Sequence, residues 1–291
     1  MIVIIESGAT KTELRCILRS GKMFEFRLGG INLASSDEAY LCDLIDDMAS
    51  SVRELGEHAD AIYMYAAGMV GGGMVSGGEI AVRERFKQHF PQGEIHMMSD
   101  IQGAAESVLG DEPGIALILG TGSGCCEYDG HSIIRKIYSG GYVLGDEGGA
   151  AALGRNFLAD YIKGLLPDTV SNAFSIRYAS GYEDIVGNIY KGTSPATYLG
   201  SFAPFILSFY SKDDYVKRLV DNNFKAFFER SVTRLWREGL KIGVVGSFGA
   251  ACRDIVARIS GDYGMKITRY VTSPVETLAM RHLKKMCDDD E

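Results

Sequence analysis

The chain has 291 residues, 46% of them hydrophobic and 23% charged, which is enough to bury a sizeable core and favours two domains over one. Its net charge of -8 argues against a nucleic-acid partner, because a phosphate backbone demands clustered Lys and Arg. The apolar run in the opening MIVIIESGATK is too short for a secretory signal or a membrane span, and Cys16, Cys42, Cys125, Cys126, Cys252 and Cys287 show neither a disulfide framework nor zinc spacing. The expectation is a cytoplasmic protein with reduced thiols and no membrane partner.

Residues 2-5 (IVII) form a short apolar strand that runs into the turn SGATK. ELRCILR (13-19) alternates as a half-buried strand does, and KMFEFRL (22-28) follows Ser20-Gly21 as a third. Leu41, Leu44, Ile45, Met48 and Val52 fall at helical spacing within 36-55, behind an Asp37/Glu38 start. A strand at 61-66, a helix near 78-90, a strand at 94-98 and a helix at about 100-109 complete the first half. The second half opens the same way. IALIL (115-119) runs into GTGSG, 125-137 reads as a hairpin turning at Asp129-Gly130, and a helix follows GDEGG to about 163. Strands at 241-246 and 265-271 bracket a helix at 251-260, and PVETLAMRHLKKM (274-286) closes the chain as a helix with Pro in its first turn. The segment at about 165-239, with Tyr and Phe at helical spacing, reads as a helical cap on the second half.

A strand-triplet-plus-helix unit used twice, each copy with a Gly/Ser/Thr turn after its first strand, predicts an α/β chain of two lobes. The expected boundaries are 1-112 and 113-274, with duplicated βββαβαβα units, a cleft between them and ligands at the strand ends.

Several turns carry residues suited to chemistry. In Glu6-Ser7-Gly8-Ala9-Thr10-Lys11-Thr12, small residues let amide N–H groups approach phosphate, Thr10 offers a hydroxyl, Lys11 adds charge, and Glu6 could hold Mg2+ through water. An ordinary hairpin turn with solvated Lys and Glu is the alternative, and the Walker A spacing is absent. Gly120-Thr121-Gly122-Ser123-Gly124 invites the same two readings, phosphate loop or tight structural turn. Asp100, in MMSDIQGAA, sits where a strand gives way to a helix. It is either a carboxylate that accepts a proton from a substrate hydroxyl or, with Ser99, a helix N-cap. Asp146 and Glu147 in GDEGG could bind sugar hydroxyls or Mg2+, or compensate a helix dipole. Asn32 is a sugar ligand or a turn former, and Gly246-Ser247-Phe248-Gly249 suits a nucleotide's ribose or base. The histidines are isolated, and no Ser-His-Asp or Cys-His arrangement stands out.

The order ESGATKT, GGIN, YAAGM, SDIQGAA, LGTGSG, GYVLGDEGGAAALG, VVGSFG and PVETLAM resembles the BadF/BadG-type ATPase family, and within it the N-acetylglucosamine kinases, over nearly the whole chain. The resemblance implies the actin-like (ribonuclease H-like) fold of acetate and sugar kinases, actin and heat-shock-70, with ATP in the interlobe cleft and Mg2+ as its companion. It implies phosphate contacts at Thr10 and Thr121 within the two loops, an adenosine-side loop at Ser247, and sugar ligands at Asn32, Asp100 and Asp146. Asp100 would be the general base for the 6-hydroxyl. Gly141 and Glu147 join the implied sugar side, and the closing helix, 275-291, would return to the first lobe. The sequence departs from the family in three places. Glu6 stands where Asp is usual, Ser139-Gly140-Gly141-Tyr142 replaces Gly-Trp-Gly, and Gly124 sits where a polar side chain is found.

The reading is thus an ATP-dependent kinase for an amino sugar, N-acetylglucosamine or another hexose such as glucosamine, with a homodimer left open. A partner-activating ATPase with a shared iron-sulfur cluster is the runner-up, and adjacent Cys125-Cys126 on one strand suit it poorly because they point to opposite faces. A nucleotide-sensing, filament-forming protein would have no use for Asn32. The zinc-binding hexosamine kinases are excluded by their missing Cys cluster.

Overall fold

The computed structural model describes residues 1-8, 11-69 and 75-289, with side chains as far as 284. Ala9 and Thr10 of the first loop lie outside the described residues. The chain divides into two compact units, Met1–Asp111 with Ser273–Glu291, and Glu112–Thr272.

The first unit contains β1 (Ile2–Ser7), β2 (Lys11–Ile17), β3 (Met23–Gly29), α1 (Glu38–Arg53), β4 (Ala61–Ala66), α2 (Gly77–His89), β5 (Glu94–Ser99) and α3 (Asp100–Leu109). Its sheet has the order β3-β2-β1-β4-β5. β1 to β3 are antiparallel neighbours, whereas β4 and β5 run parallel to β1. The continuous apolar run of β1 reflects burial on both faces. Val3 and Ile5 enter a core with α1 and α2, while Ile4 packs with Tyr65 and with Val275, Leu278 and Ala279 of the chain's last helix. α1 begins as its spacing predicts: Asp37 accepts from the Ala39 and Tyr40 N–H groups, and Leu41, Leu44, Ile45, Met48 and Val52 are buried.

The second unit contains β6 (Gly114–Leu119), β7 (Ser123–Tyr128), β8 (Ile133–Ile137), α4 (Gly141–Leu144) and α5 (Ala150–Tyr161). The helical insertion follows as α6 (Asp168–Tyr178), α7 (Tyr182–Lys191), α8 (Pro195–Gly200), α9 (Ala203–Leu207) and α10 (Asp214–Arg230). Then come β9 (Lys241–Val245), α11 (Ser247–Ala251), α12 (Arg253–Asp262) and β10 (Ile267–Val271), before α13 (Pro274–Asp289) in the first unit. The sheet order β10-β9-β6-β7-β8 is the order of the first sheet again, with β6 in the place of β1. The aromatics of the insertion are core: Phe174, Phe202, Phe205, Phe224, Phe227 and Phe228 share one buried cluster with β6 and β9. The β7–β8 turn closes because Asp129 Oδ1 accepts from His131 N at 2.8 Å and Ser132 N at 2.7 Å.

Residues 141-144 form a short helix, α4, entered through Gly140 and Gly141 at φ 78 and 70. The helix expected at 251-260 is α12, and Cys252 (φ -100, ψ 19) separates it from the short α11. Among the described residues, no helix is long and apolar enough to cross a membrane.

Candidate functional site

In the first unit the parallel strands end level. Ser7 is opposite Ala66, and Ala66 is opposite Ser99, so the chain leaves β1, β4 and β5 at one carboxyl edge. That edge is where open α/β sheets collect ligands. Ser99 caps α3 by accepting from Gln102 N at 3.2 Å, which places Asp100 at the first helical position rather than at the cap. Asp100 Oδ1 accepts from Ile101 N at 2.9 Å. Glu6, on β1, comes close enough to Asp100 for the two charges to repel. Burial is the main cause that raises the Glu6 carboxyl to about 7; Glu13 and Asp100 push the same way, and Lys11 opposes them.

Asn32 reaches this edge through a parallel bridge to Ala67, and Leu33 N donates to Ala67 O at 2.9 Å. Its Oδ1 accepts from Ala34 N at 3.0 Å, and a Cβ on Gly68 (φ +83) would lie 2.2 Å from that oxygen. Gly68 is therefore glycine for two reasons, conformation and space.

The second unit builds its loop against the start of α5. Ala150 N donates to Gly120 O at 3.0 Å, Ala151 N to Thr121 O at 2.8 Å, and Gly120 N to Gly122 O at 3.0 Å. All three carbonyls are thus engaged within the unit. Asp146 Oδ1 accepts from Ser123 N at 3.2 Å. Gly246, at φ +119, crosses β6 so closely that a Cβ would stand 2.3 Å from Leu119 O. The Gly246–Ser247 turn and the Gly120–Ser123 loop therefore lie side by side at the ends of β9 and β6. Phe248 does not join them. It is 7% exposed and stacks on Phe224 with ring centroids 5.6 Å apart, so it anchors the turn from within.

No family model matches the chain, and no curated protein matches it. Among solved structures it is similar to a Porphyromonas gingivalis protein described as a candidate N-acetylglucosamine kinase. The two are 32% identical, the match covers 97% of this chain and 98% of that one, and the TM-score is 0.85. The chain belongs to that N-acetylglucosamine-kinase-like family. It is also similar to a candidate N-acetylglucosamine kinase from Chromobacterium violaceum (17% identity, 97% and 99% coverage, TM-score 0.71). A third likeness is to a ROK family glucokinase from Streptomyces griseus in complex with glucose and AMPPNP (15% identity, 96% and 97% coverage, TM-score 0.57). These two share the fold, a two-lobed α/β actin-like ATPase fold.

Within this N-acetylglucosamine-kinase-like chain, several expected ligands are already engaged. Ser7 is fully buried; its hydroxyl lies 2.5 Å from Thr12 Oγ1 and accepts from Ile31 N at 3.0 Å, so it builds the first loop rather than reaching a ligand. Gly8 donates to Lys11 O at 3.0 Å and accepts from Ile31 N at 3.1 Å. Lys11 Nζ is bonded to Glu13 Oε2 at 2.9 Å. Glu147 pairs with Arg230. Gly141 opens α4, and its carbonyl accepts from Gly145 N at 2.8 Å.

Sequence reasoning passed over Glu13. It is 4% exposed and gathers Lys11, Arg27 Nε at 3.3 Å and Ser273 Oγ at 2.7 Å. Burial pushes its carboxyl up, but the hydrogen bonds from Lys11 and Ser273 outweigh burial and hold it below the ordinary value. The β1–β2 register puts Glu13 directly opposite Glu6, and β2 is buried from Thr12 to Ile17 rather than half-buried as its alternation predicts. Burial pushes the Cys125 and Cys126 thiols up to about 12.

Among the described residues no three His, Cys, Asp or Glu side chains form a metal cage. Mg2+ does not need one, since it binds through one or two carboxylates together with waters and substrate phosphates. Glu6 fits that use: it is a part-buried carboxylate with two acidic neighbours, a charge imbalance that a cation relieves.

Proposed function

We propose that the chain is an ATP-dependent sugar kinase that converts N-acetylglucosamine to its 6-phosphate. The observation that carries the chemistry is the placement of Asp100. Ser99 caps α3, so Asp100 stands at the carboxyl edge of the sheet beside Glu6 and near the Asn32 turn. The substrate class rests on the family and on the name of the Porphyromonas gingivalis relative.

In this reading Asn32 and Asp100 hold the sugar. Asp100 takes the proton of the primary hydroxyl as the hydroxyl oxygen attacks the γ-phosphorus of ATP. The bond to the β–γ bridging oxygen breaks, ADP leaves, and the proton remains on Asp100. Thr121, Gly122 and Ser123 meet the phosphates, and Gly246 and Ser247 face the nucleoside. The first-loop phosphate contacts expected of Ala9 and Thr10 fall outside the described residues, and Gly8 and Lys11 are held within the unit. Glu6 would hold Mg2+ through water, and the ion would neutralise charge on the phosphates.

The test is phosphorus NMR of a reaction containing MgATP and N-acetylglucosamine. A sugar 6-phosphate resonance that grows with ADP, and disappears in Asp100→Asn, supports the proposal. ADP and inorganic phosphate without a sugar phosphate would reject it.

A further inference from the structure

Asp146 is one of two non-glycine residues with positive φ among the described residues (φ 59), and it is 7% exposed. A left-handed aspartate in a buried turn is strained backbone, and such strain persists only where the surroundings over-determine it. Its surroundings are the Gly120–Ser123 loop. One carboxylate oxygen accepts from Ser123 N at 3.2 Å, and the carboxylate lies flat against Gly122. A Cβ on Gly122 would stand 2.9 Å from Oδ2 and 3.0 Å from both Cγ and Oδ1. On its other side the turn is fixed as well, because Gly149 N donates to Asp146 O at 2.9 Å, directly before α5 takes the Gly120 and Thr121 carbonyls. Gly149 has no more room than Gly122: its Cβ would stand 2.8 Å from Gly122 C.

We propose that Asp146 is a positioning residue that sets the amides of the Gly120–Ser123 loop to receive the nucleotide's phosphates, and that Gly122 is glycine because this carboxylate occupies the space of a side chain. The inference rests on the phosphate-loop part of the reading above. It assigns Asp146 an action through the loop, beyond any contact with sugar. Helix α5 takes the Gly120 and Thr121 carbonyls, Gly120 N donates to Gly122 O, and Asp146 holds Ser123 N, so the Thr121 and Gly122 amides lie between two fixed ends. Without the carboxylate the Ser123 end of the loop loses its side-chain tether.

The test is a double-mutant cycle read by calorimetric binding of MgAMPPNP without sugar, so it does not depend on turnover. Loss of one charge-assisted hydrogen bond predicts that Asp146→Gly weakens nucleotide binding about ten-fold, although glycine relieves the backbone strain. Asp146→Asn keeps an acceptor of the same size and stays within about three-fold of the parent. Gly122→Ala, which drives a methyl into the carboxylate, weakens binding about ten-fold or more, and in the Asp146→Gly background it costs little further because the collision is gone. Unchanged MgAMPPNP affinity in Asp146→Gly would overturn the proposal. So would Gly122 and Asp146 effects that simply multiply. Failure of sugar-dependent turnover would sink the sugar assignment alone and leave this cycle readable.

Discussion

Replacing Glu6 with Gln removes a carboxylate that the first unit holds at an electrostatic disadvantage. Burial, with Glu13 and Asp100 behind it, raises the carboxyl from 4.5 to about 7. The folded chain therefore keeps this proton more tightly than the unfolded chain does. The cost of ionising Glu6 is absent below about pH 4.5, grows between the two values and is complete above about 7. At 1.36 kcal/mol per pK unit the full cost is about 3 kcal/mol, reached by about pH 8, and it is under about 1 kcal/mol at pH 5. Glutamine is neutral throughout, so Glu6→Gln gains stability over the parent as pH rises. Urea unfolding of both proteins at pH 5 and pH 8, without nucleotide or Mg2+, measures the gap. A gap that widens by about 2 kcal/mol supports the assignment. A gap that stays constant with pH would show that Glu6 ionises normally and refute the reasoning. The same substitution removes the residue proposed to hold Mg2+, so the more stable variant should be the slower enzyme.

Three further outcomes follow from named contacts. Ser99→Ala removes the α3 cap and should cost about 1 kcal/mol, seen as a lowered urea midpoint. Phe248→Ala empties a buried aromatic site against Phe224 and should cost about 3–5 kcal/mol, with weaker MgAMPPNP binding because the Gly246–Ser247 turn loses its anchor. Glu13→Gln leaves Lys11 and Arg27 without their shared carboxylate and should lower stability by about 1–3 kcal/mol at neutral pH. The sign follows from its depressed carboxyl, whose contribution is present above the unfolded value and fades as pH falls through the folded one, so the Gln penalty shrinks toward acid.

Much of the fold was legible because local pattern and tertiary use agree. The apolar positions of α1 are those its spacing selects, Asp129-Gly130 turns the β7–β8 hairpin, and Pro274 opens α13. The glycine clusters pointed to the strand-end loops, and those loops lie at strand ends. What sequence could not reveal was the direction of side chains at those loops. Ser7 and Lys11 read as ligands because small and basic residues suit phosphate, yet Thr12, Ile31 and Glu13 engage them. Between Ser99 and Asp100 either could cap a helix, and only the backbone decides that Ser99 does. The Asp146–Ser123 contact joins residues 23 apart, and Glu13 meets Ser273 across 260. Long-range polar pairs of this kind carry no local period.

The most direct test of the kinase account is ADP release from MgATP, coupled to NADH oxidation. The panel would hold N-acetylglucosamine, glucosamine, glucose, N-acetylmannosamine and no sugar. The account predicts release that depends on N-acetylglucosamine and falls by about 10²- to 10⁴-fold in Asp100→Asn. Equal release with every sugar and with none would contradict it.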